Sequence, residues 1–361
     1  MRQRQSDYMQ WAKTQSRAKF NLATSGVGSF PLHELPVTIE QLEINGDSTY
    51  GYAPLQHAIA KKCGVNPDCV VAAAGTSMAN HLAMAALINP GDEVLLEQPT
   101  YELLTSTLLY LGAAVKRFAR SEESGYALDP AQIRRVITPR TKLIVLTNLH
   151  NPSSVLASDS TLREIGDLAR SVSAHVLVDE VYLDAVYSNT PNPSFHLGPE
   201  FIVTTSLTKV YGLSGLRCGW ILAQPDLARA MWRLSDLFAS IPAHPAELLS
   251  VIALENLDLV RQRARRVVEA DRALLAKFLA QQKSVSAPCT EFGTTSVLRL
   301  TKGDTEDFLA RLLAEHETSA VPGRFFELPN HFRIGMGVDT EMFREGLQRI
   351  GRMLDAVAAT K

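Results

Sequence analysis

The feature that most constrains this chain is a series of short, nearly continuous apolar runs: Lys142-Leu143-Ile144-Val145-Leu146, His175-Val176-Leu177-Val178, Phe201-Ile202-Val203-Thr204 and Cys218 to Ala223. A strand wetted on one face alternates apolar and polar residues. A run without alternation is buried on both faces. Such strands, separated by helical stretches, predict a mostly parallel, doubly wound α/β sheet. Val70-Val71, Glu93 to Leu96 and Ala114 to Phe118 read as further strands. Between them lie a helical run from Met78 to Ile88 and a turn at Asn89-Pro90-Gly91-Asp92.

The character changes after Pro225. Residues 226–280 read as mainly helical, and the arginines at 261, 263, 265 and 266 read as the solvated face of a long helix. Strands return at Val297–Leu300 and Phe332–Ile334, with helices at Thr305–Glu315 and Thr340–Ala359, a smaller α+β module. At the other end, Tyr8, Met9, Trp11, Ala12 and Phe20 have roughly helical spacing. That helix could pack on its own domain or lie as an arm on a partner subunit. With 361 residues, two domains are expected. The division read here is an N-terminal arm and part of a small domain (1–44), a large domain (45–275) and the C-terminal small domain (276–361).

Lys plus Arg numbers 36 and Asp plus Glu 38, a balance that argues against a nucleic-acid partner. The four cysteines, Cys63, Cys69, Cys218 and Cys289, form no C-x-x-C pair, which excludes a zinc ribbon or thioredoxin motif. Their wide spacing fits a reducing compartment. The N-terminus lacks the apolar core of a signal peptide, and the most apolar helical run, Leu82 to Ile88, is too short to span a bilayer. A soluble, cytoplasmic protein is expected, with no membrane partner.

In a parallel sheet the ligand crevice lies at the carboxyl ends of the strands. Gly75-Thr76-Ser77 follows the first strand, where small residues at a helix start leave N–H groups and hydroxyls free for an anion. Tyr101 follows the second. Asn148-Leu149-His150-Asn151-Pro152 follows Leu146, Asp179-Glu180-Val181-Tyr182 follows Val178, and Ser206-Leu207-Thr208-Lys209 follows Thr204. A partly desolvated lysine near another cation loses its proton easily enough to act as a nucleophile. Arg217, after a glycine-containing turn, can bind a phosphate bidentately. Any one of these residues alone is better explained by packing or capping. All of them on successive strand ends are not.

The stretch Ser206-Leu-Thr-Lys209-Val-Tyr-Gly-Leu-Ser-Gly-Leu-Arg217-Cys-Gly resembles the signature around the cofactor lysine of fold-type I pyridoxal-phosphate enzymes, in the class I/II aminotransferase family. Asn148-x-x-Asn151-Pro152, Asp179-Glu180-x-Tyr182 and Gly75-Thr76-Ser77 match the family's other motifs in order, over roughly residues 25 to 350. The resemblance implies the pyridoxal-phosphate transferase fold and the cofactor pyridoxal 5'-phosphate, held by Lys209 as a Schiff base. Lys209 would also move the substrate proton, and Asp179 would pair with the pyridine nitrogen. Asn151 and Tyr182 would bond the ring oxygen, Tyr101 would stack on the ring, and Gly75, Thr76, Ser77, Ser206 and Arg217 would hold the phosphate. Arg333 resembles the arginine for the substrate α-carboxylate; otherwise it is a strand arginine in a surface salt bridge. Gly26, in Ser25-Gly26-Val27-Gly28, resembles the N-terminal loop over the substrate. That Gly-x-Gly is not a dinucleotide loop, since no strand precedes it. The implied reaction transfers an amino group from an amino acid to a 2-oxo acid, in a homodimer.

Two departures stand out. Asn151-Pro152-Ser153-Ser154 replaces the family's Asn-Pro-Thr-Gly, which changes the turn but not the ligand. Tyr50 and Tyr52 lie off the usual spacing of the tyrosine that reaches the neighbouring subunit, and Gln56 replaces the following arginine. They keep open a pyridoxal-phosphate lyase, decarboxylase or cyclising enzyme. A non-catalytic sensor is disfavoured by the lack of a basic N-terminal extension, and a nicotinamide dehydrogenase by the missing glycine fingerprint. No metal site is expected.

Overall fold

The computed structural model describes residues 3–47, 49–239, 241–288 and 290–359; Ser48 and Cys289 lie outside them. Seven strands form the central sheet in the spatial order Val70–Ala74, Cys218–Leu222, Phe201–Ser206, His175–Asp179, Thr141–Thr147, Glu93–Gln98, Ala114–Ala119. Adjacent strands run parallel except where Cys218–Leu222 meets its two neighbours. The link from Ser206 to Cys218 is too short for a helical crossover, so that strand returns antiparallel.

The unbroken apolar runs are buried on both faces, as their lack of alternation requires. Leu143 and Val145 belong to the core that also holds Ala79 and Leu82 of the helix Thr76–Leu87. Ile144 and Leu146 belong to a separate core with Leu162 and Ile165 of the helix Asp159–Ser171. The smaller module is a four-stranded antiparallel sheet, Val321–Pro322, His331–Gly335, Thr295–Leu300 and Val285–Ser286. Its own core is built on Phe308, Phe332, Ile334 and Phe343. Phe20–Asn21 pairs in parallel with Thr318–Ser319, and Leu22 enters that core. A short strand therefore does precede the Gly-x-Gly segment, but it sits at the small module and not in a dinucleotide-binding unit. The helix Leu257–Gln281 runs unbroken past residue 275, with Val260 in the large core and Leu275 in the small one. On its arginine-rich stretch, Arg265 pairs with Glu269 and Arg263 with Glu34, while Arg261 turns inward to the Tyr187 carbonyl.

The N-terminal helix, Asp7–Thr14, packs on its own chain. Ser6 caps it by accepting from the Met9 N–H at 3.1 Å and also hydrogen-bonds Glu102. Tyr8 is buried between Tyr101 and Phe325, each 5.4 Å away between ring centroids. No helix of the described residues is long and apolar enough to cross a membrane.

One buried ion pair ties the sheet to the crevice. Arg120 and Glu97 meet at 2.9 Å with both side chains fully buried. Glu97 Oε1 also accepts from the N–H and hydroxyl of Thr147, at 2.8 and 2.6 Å. Removing one partner of a buried pair strands the other charge, which costs about 3–5 kcal/mol. Glu97→Ala is therefore expected to lower the unfolding free energy by about that amount in urea titrations.

Candidate active site

The carboxyl ends of the parallel strands open on a cavity of about 350 Å³. Thr76, Ser77, Tyr101, Asn151, Asp179, Tyr182, Lys209, Arg217 and Arg333 all line it. Of the other expected residues, Gly75 and Ser206 do not line it, but Gly75 precedes Thr76 and Ser206 accepts from the Thr76 hydroxyl. Gly26 does not line the cavity; its neighbour Ser25 does.

One corner suits a phosphate. The helix Thr76–Leu87 begins at Gly75, whose φ of 80° is in the left-handed region. A Cβ there would lie 2.3 Å from Arg217 Nη2, so only glycine lets the guanidinium lie against this turn. Gly75 supplies no capping side chain, which leaves first-turn N–H groups open toward the cavity. Thr76 donates to the Ser206 hydroxyl at 2.8 Å, and Ser206 and Thr208 share a bond of 2.7 Å. Arg217 donates only to the carbonyls of Ala74 and Ser214, at 3.2 and 3.3 Å. No carboxylate among the described residues pairs with it.

The rest of the lining carries the charged groups Asp179, Lys209 and Arg333. Asp179 ends its strand buried, with Oδ2 accepting from Asn80 Nδ2 at 2.8 Å and Oδ1 from the Val181 N–H at 3.1 Å. Asn80 is fixed in turn by a hydrogen bond from the Thr204 hydroxyl. Burial pushes the Asp179 carboxyl up to about 6, against the pull of those two donors and of Lys209. Lys209 donates from Nζ to Ser25 Oγ at 2.8 Å. Its amine is pushed down to about 8 by burial first, then by Arg333 and Arg217, with Asp179 opposing. Gly26 belongs to this arrangement: a Cβ on it would lie 2.8 Å from the Lys209 carbonyl, and the next N–H, of Val27, donates to that carbonyl at 2.7 Å. Burial also raises the Tyr182 hydroxyl to about 12.

Arg333 lies in an inner strand of the small sheet, between Val297 and Val321, and is 1% exposed. It makes no salt bridge among the described residues, and its burial excludes the surface-pair alternative. Its Nη1 donates to Asn151 Oδ1 and its Nη2 to the Tyr8 hydroxyl, both at 3.0 Å. The guanidinium lies 4.7 Å from the Phe326 ring, and its buried Nε has no partner among the described residues. The Asn151 N–H is itself held by Thr147 Oγ1 at 2.9 Å.

Ser154 stands where the family's glycine was expected. It takes φ 62°, so the turn after Asn151 has a left-handed residue without glycine there, and the Ser154 hydroxyl donates to the Thr295 carbonyl at 2.9 Å. Tyr8, Ser25, Asn80 and Thr208 line the cavity and were not singled out from the sequence. Asn80 could have been found, being one helical turn past Thr76 on the same face. Tyr8 arrives from a segment with no local chemical signature, whereas Ser25 lies in the Ser25-Gly26-Val27-Gly28 loop, in which Gly26 was the residue expected at the site.

These residues fit pyridoxal phosphate on their own chemistry. An open helix start with hydroxyls and an arginine that meets no carboxylate suits a phosphate. A buried carboxylate suits a protonated ring nitrogen, and a lysine with a low proton affinity suits an aldehyde.

Comparison with known proteins agrees. The family model for aminotransferase class I and II matches residues 40–350. Capreomycidine synthase of Streptomyces vinaceus is 31% identical over 352 residues, covering 94% of this chain and 90% of that protein. An aspartate aminotransferase of Sulfolobus acidocaldarius is 25% identical over 328 residues, covering 85% and 82%. The crystal structure of a pyridoxal-phosphate-dependent aminotransferase from Streptococcus suis superposes with a TM-score of 0.93 at 26% identity, over 99% of each chain. The chain belongs to the class I and II aminotransferase family, and its cofactor is pyridoxal 5'-phosphate.

Proposed function

We propose that this protein is an aminotransferase that moves an amino group from an amino acid to a 2-oxo acid. One observation carries the reading: Lys209, Asp179 and Arg333, from three distant parts of the chain, converge on one buried cavity. When bound, pyridoxal phosphate supplies the electron sink that makes the substrate Cα–H acidic. The first-turn N–H groups after Gly75, the hydroxyls of Thr76, Ser77 and Ser206, and Arg217 would hold its phosphate. Asp179 would hold the proton on its ring nitrogen, Asn151 and Tyr182 its ring oxygen, and Tyr101 its face. Lys209 would anchor it.

Arg333 orients the substrate by binding its α-carboxylate, and Asn151 holds the guanidinium in place. Lys209, freed as a neutral amine, takes the Cα proton as general base and returns it. Its low proton affinity serves that role, since a base must be unprotonated to accept. Asn80 keeps Asp179 aimed into the cavity. The segment that includes Ser25 and Gly26 closes the substrate side.

A second reading, cyclisation of an amino acid, is favoured by one observation. Identity to capreomycidine synthase is higher than to the aspartate aminotransferase, 31% against 25%. The same Lys209 base and Arg333 anchor serve either course. We take residues 45–275 as the cofactor-binding domain, with 1–44 and 276–361 forming the small domain. We also take the assembly to be a cytoplasmic homodimer. Ile44, Tyr50, Leu237, Phe238 and Ile241 are large apolar side chains left exposed, which supports a covered face. The described cysteines, Cys63, Cys69 and Cys218, are free, which supports a reducing compartment.

Three outcomes are expected. Mixed with common L-amino acids and no acceptor, the loaded enzyme releases 2-oxo acid in an amount equal to its active sites and then stops. Continued turnover without acceptor, with nitrogen kept in the product, marks cyclisation instead. Lys209→Ala abolishes borohydride-fixed cofactor and all turnover, as read by intact mass and product assay. In cofactor-free protein, acetylation of Lys209 rises with pH through a midpoint at about 8, where the buried amine loses its proton, and levels off at higher pH. Arg333→Gln moves that midpoint upward, since removing a neighbouring cation favours the charged lysine. Peptide mass spectrometry reads both.

A further inference from the structure

We propose that the Tyr8 hydroxyl is a substrate-binding group that completes the α-carboxylate site around Arg333. The inference rests on the reading of Arg333 as the carboxylate anchor. It adds a donor from the N-terminal helix, a segment that no motif of the chain marks.

The hydrogen bonds at this corner carry it. The Tyr8 oxygen accepts from Arg333 Nη2 at 3.0 Å. Its own hydrogen therefore points elsewhere, and no acceptor for it exists among the described residues. Arg333 spends one hydrogen of Nη1 on Asn151 and one of Nη2 on Tyr8, and its buried Nε spends none. The corner faces the cavity with a surplus of donors, and no carboxylate among the described residues pairs with Arg333. The group that satisfies such a corner is an anion with several acceptor lone pairs, a carboxylate.

Tyr8 is also held too firmly to be a passing contact. Its ring is clasped edge-on by Tyr101 and Phe325. Its helix is pinned by Ser6 to Glu102, and Met9 Sδ accepts from the Tyr101 hydroxyl at 3.5 Å. The hydroxyl is preorganised by the same helix that walls off the cavity, so its donation costs little ordering on binding.

The test uses the loaded enzyme and Tyr8→Phe, which keeps the ring contacts and removes only the hydroxyl. Exchange of the α-proton in heavy water is followed for the L-amino acid that exchanges fastest, and for the amine made from it by decarboxylation. A hydrogen bond to a charged group predicts a KM for the amino acid raised about tenfold to a hundredfold. The maximal exchange rate and the cofactor affinity stay within a few-fold, and the constants for the amine are the same in both proteins. An unchanged amino-acid KM, or an equal penalty on acid and amine, overturns the proposal. Arg333→Lys is measured alongside. If it also leaves the amino-acid KM unchanged, the anchor reading itself fails; if it raises KM while Tyr8→Phe does not, only the role of Tyr8 fails.

Discussion

Taking a lysine out of water beside two arginines is the constraint on which the site depends. In solvent an amine holds its proton strongly. Here burial, Arg333 and Arg217 together make the charged form of Lys209 costly. The same burial works in the opposite sense on Asp179, which accepts bonds from Asn80 and Val181 and still rises. An amine that releases its proton more easily and a carboxyl that holds one more tightly stand in the same cavity. Both arise from one act of desolvation.

Desolvation needs walls, and the walls are joined by one chain of hydrogen bonds. Arg120 pairs with Glu97, Glu97 holds Thr147, Thr147 holds Asn151, Asn151 holds Arg333, and Arg333 holds Tyr8. The series begins on the outer strands of the large sheet, crosses to the small sheet and ends on the N-terminal helix. Each member is buried, so each bond is made at low dielectric and leaves a costly orphan if broken. The two modules are thereby linked across the cavity, and the long helix Leu257–Gln281 contributes residues to both cores.

Family membership fixes the fold and the cofactor more tightly than it fixes the reaction. A base, an electron sink and a carboxylate anchor suffice to remove a Cα proton. The fate of the resulting carbanion depends on the substrate's side chain and on the wall it meets. The rest of the cavity lining includes Met9 and Ala12 of the N-terminal helix and Asn21, Ala23 and Thr24 after it. These segments carry no family motif, which is why the motifs speak to the common step and not to the substrate.

The strands of the large sheet and the residues at their ends were legible in the sequence. Unbroken apolar runs admit only burial on both faces, and a residue following such a run must reach the crevice, so Thr76, Asn151, Asp179, Tyr182 and Lys209 were legible from local order. Tertiary structure decided what local order could not carry. The antiparallel return of Cys218–Leu222 came from the reach of its connection. The left-handed Ser154 was fixed by its bond to Thr295. Ser25 under Lys209, Asn80 behind Asp179 and Tyr8 on Arg333 are partners far apart in the chain. Spacing along a sequence records which face a side chain takes within its own element. Which buried donor meets which acceptor is settled only when the elements pack and each must find a partner or lose its water.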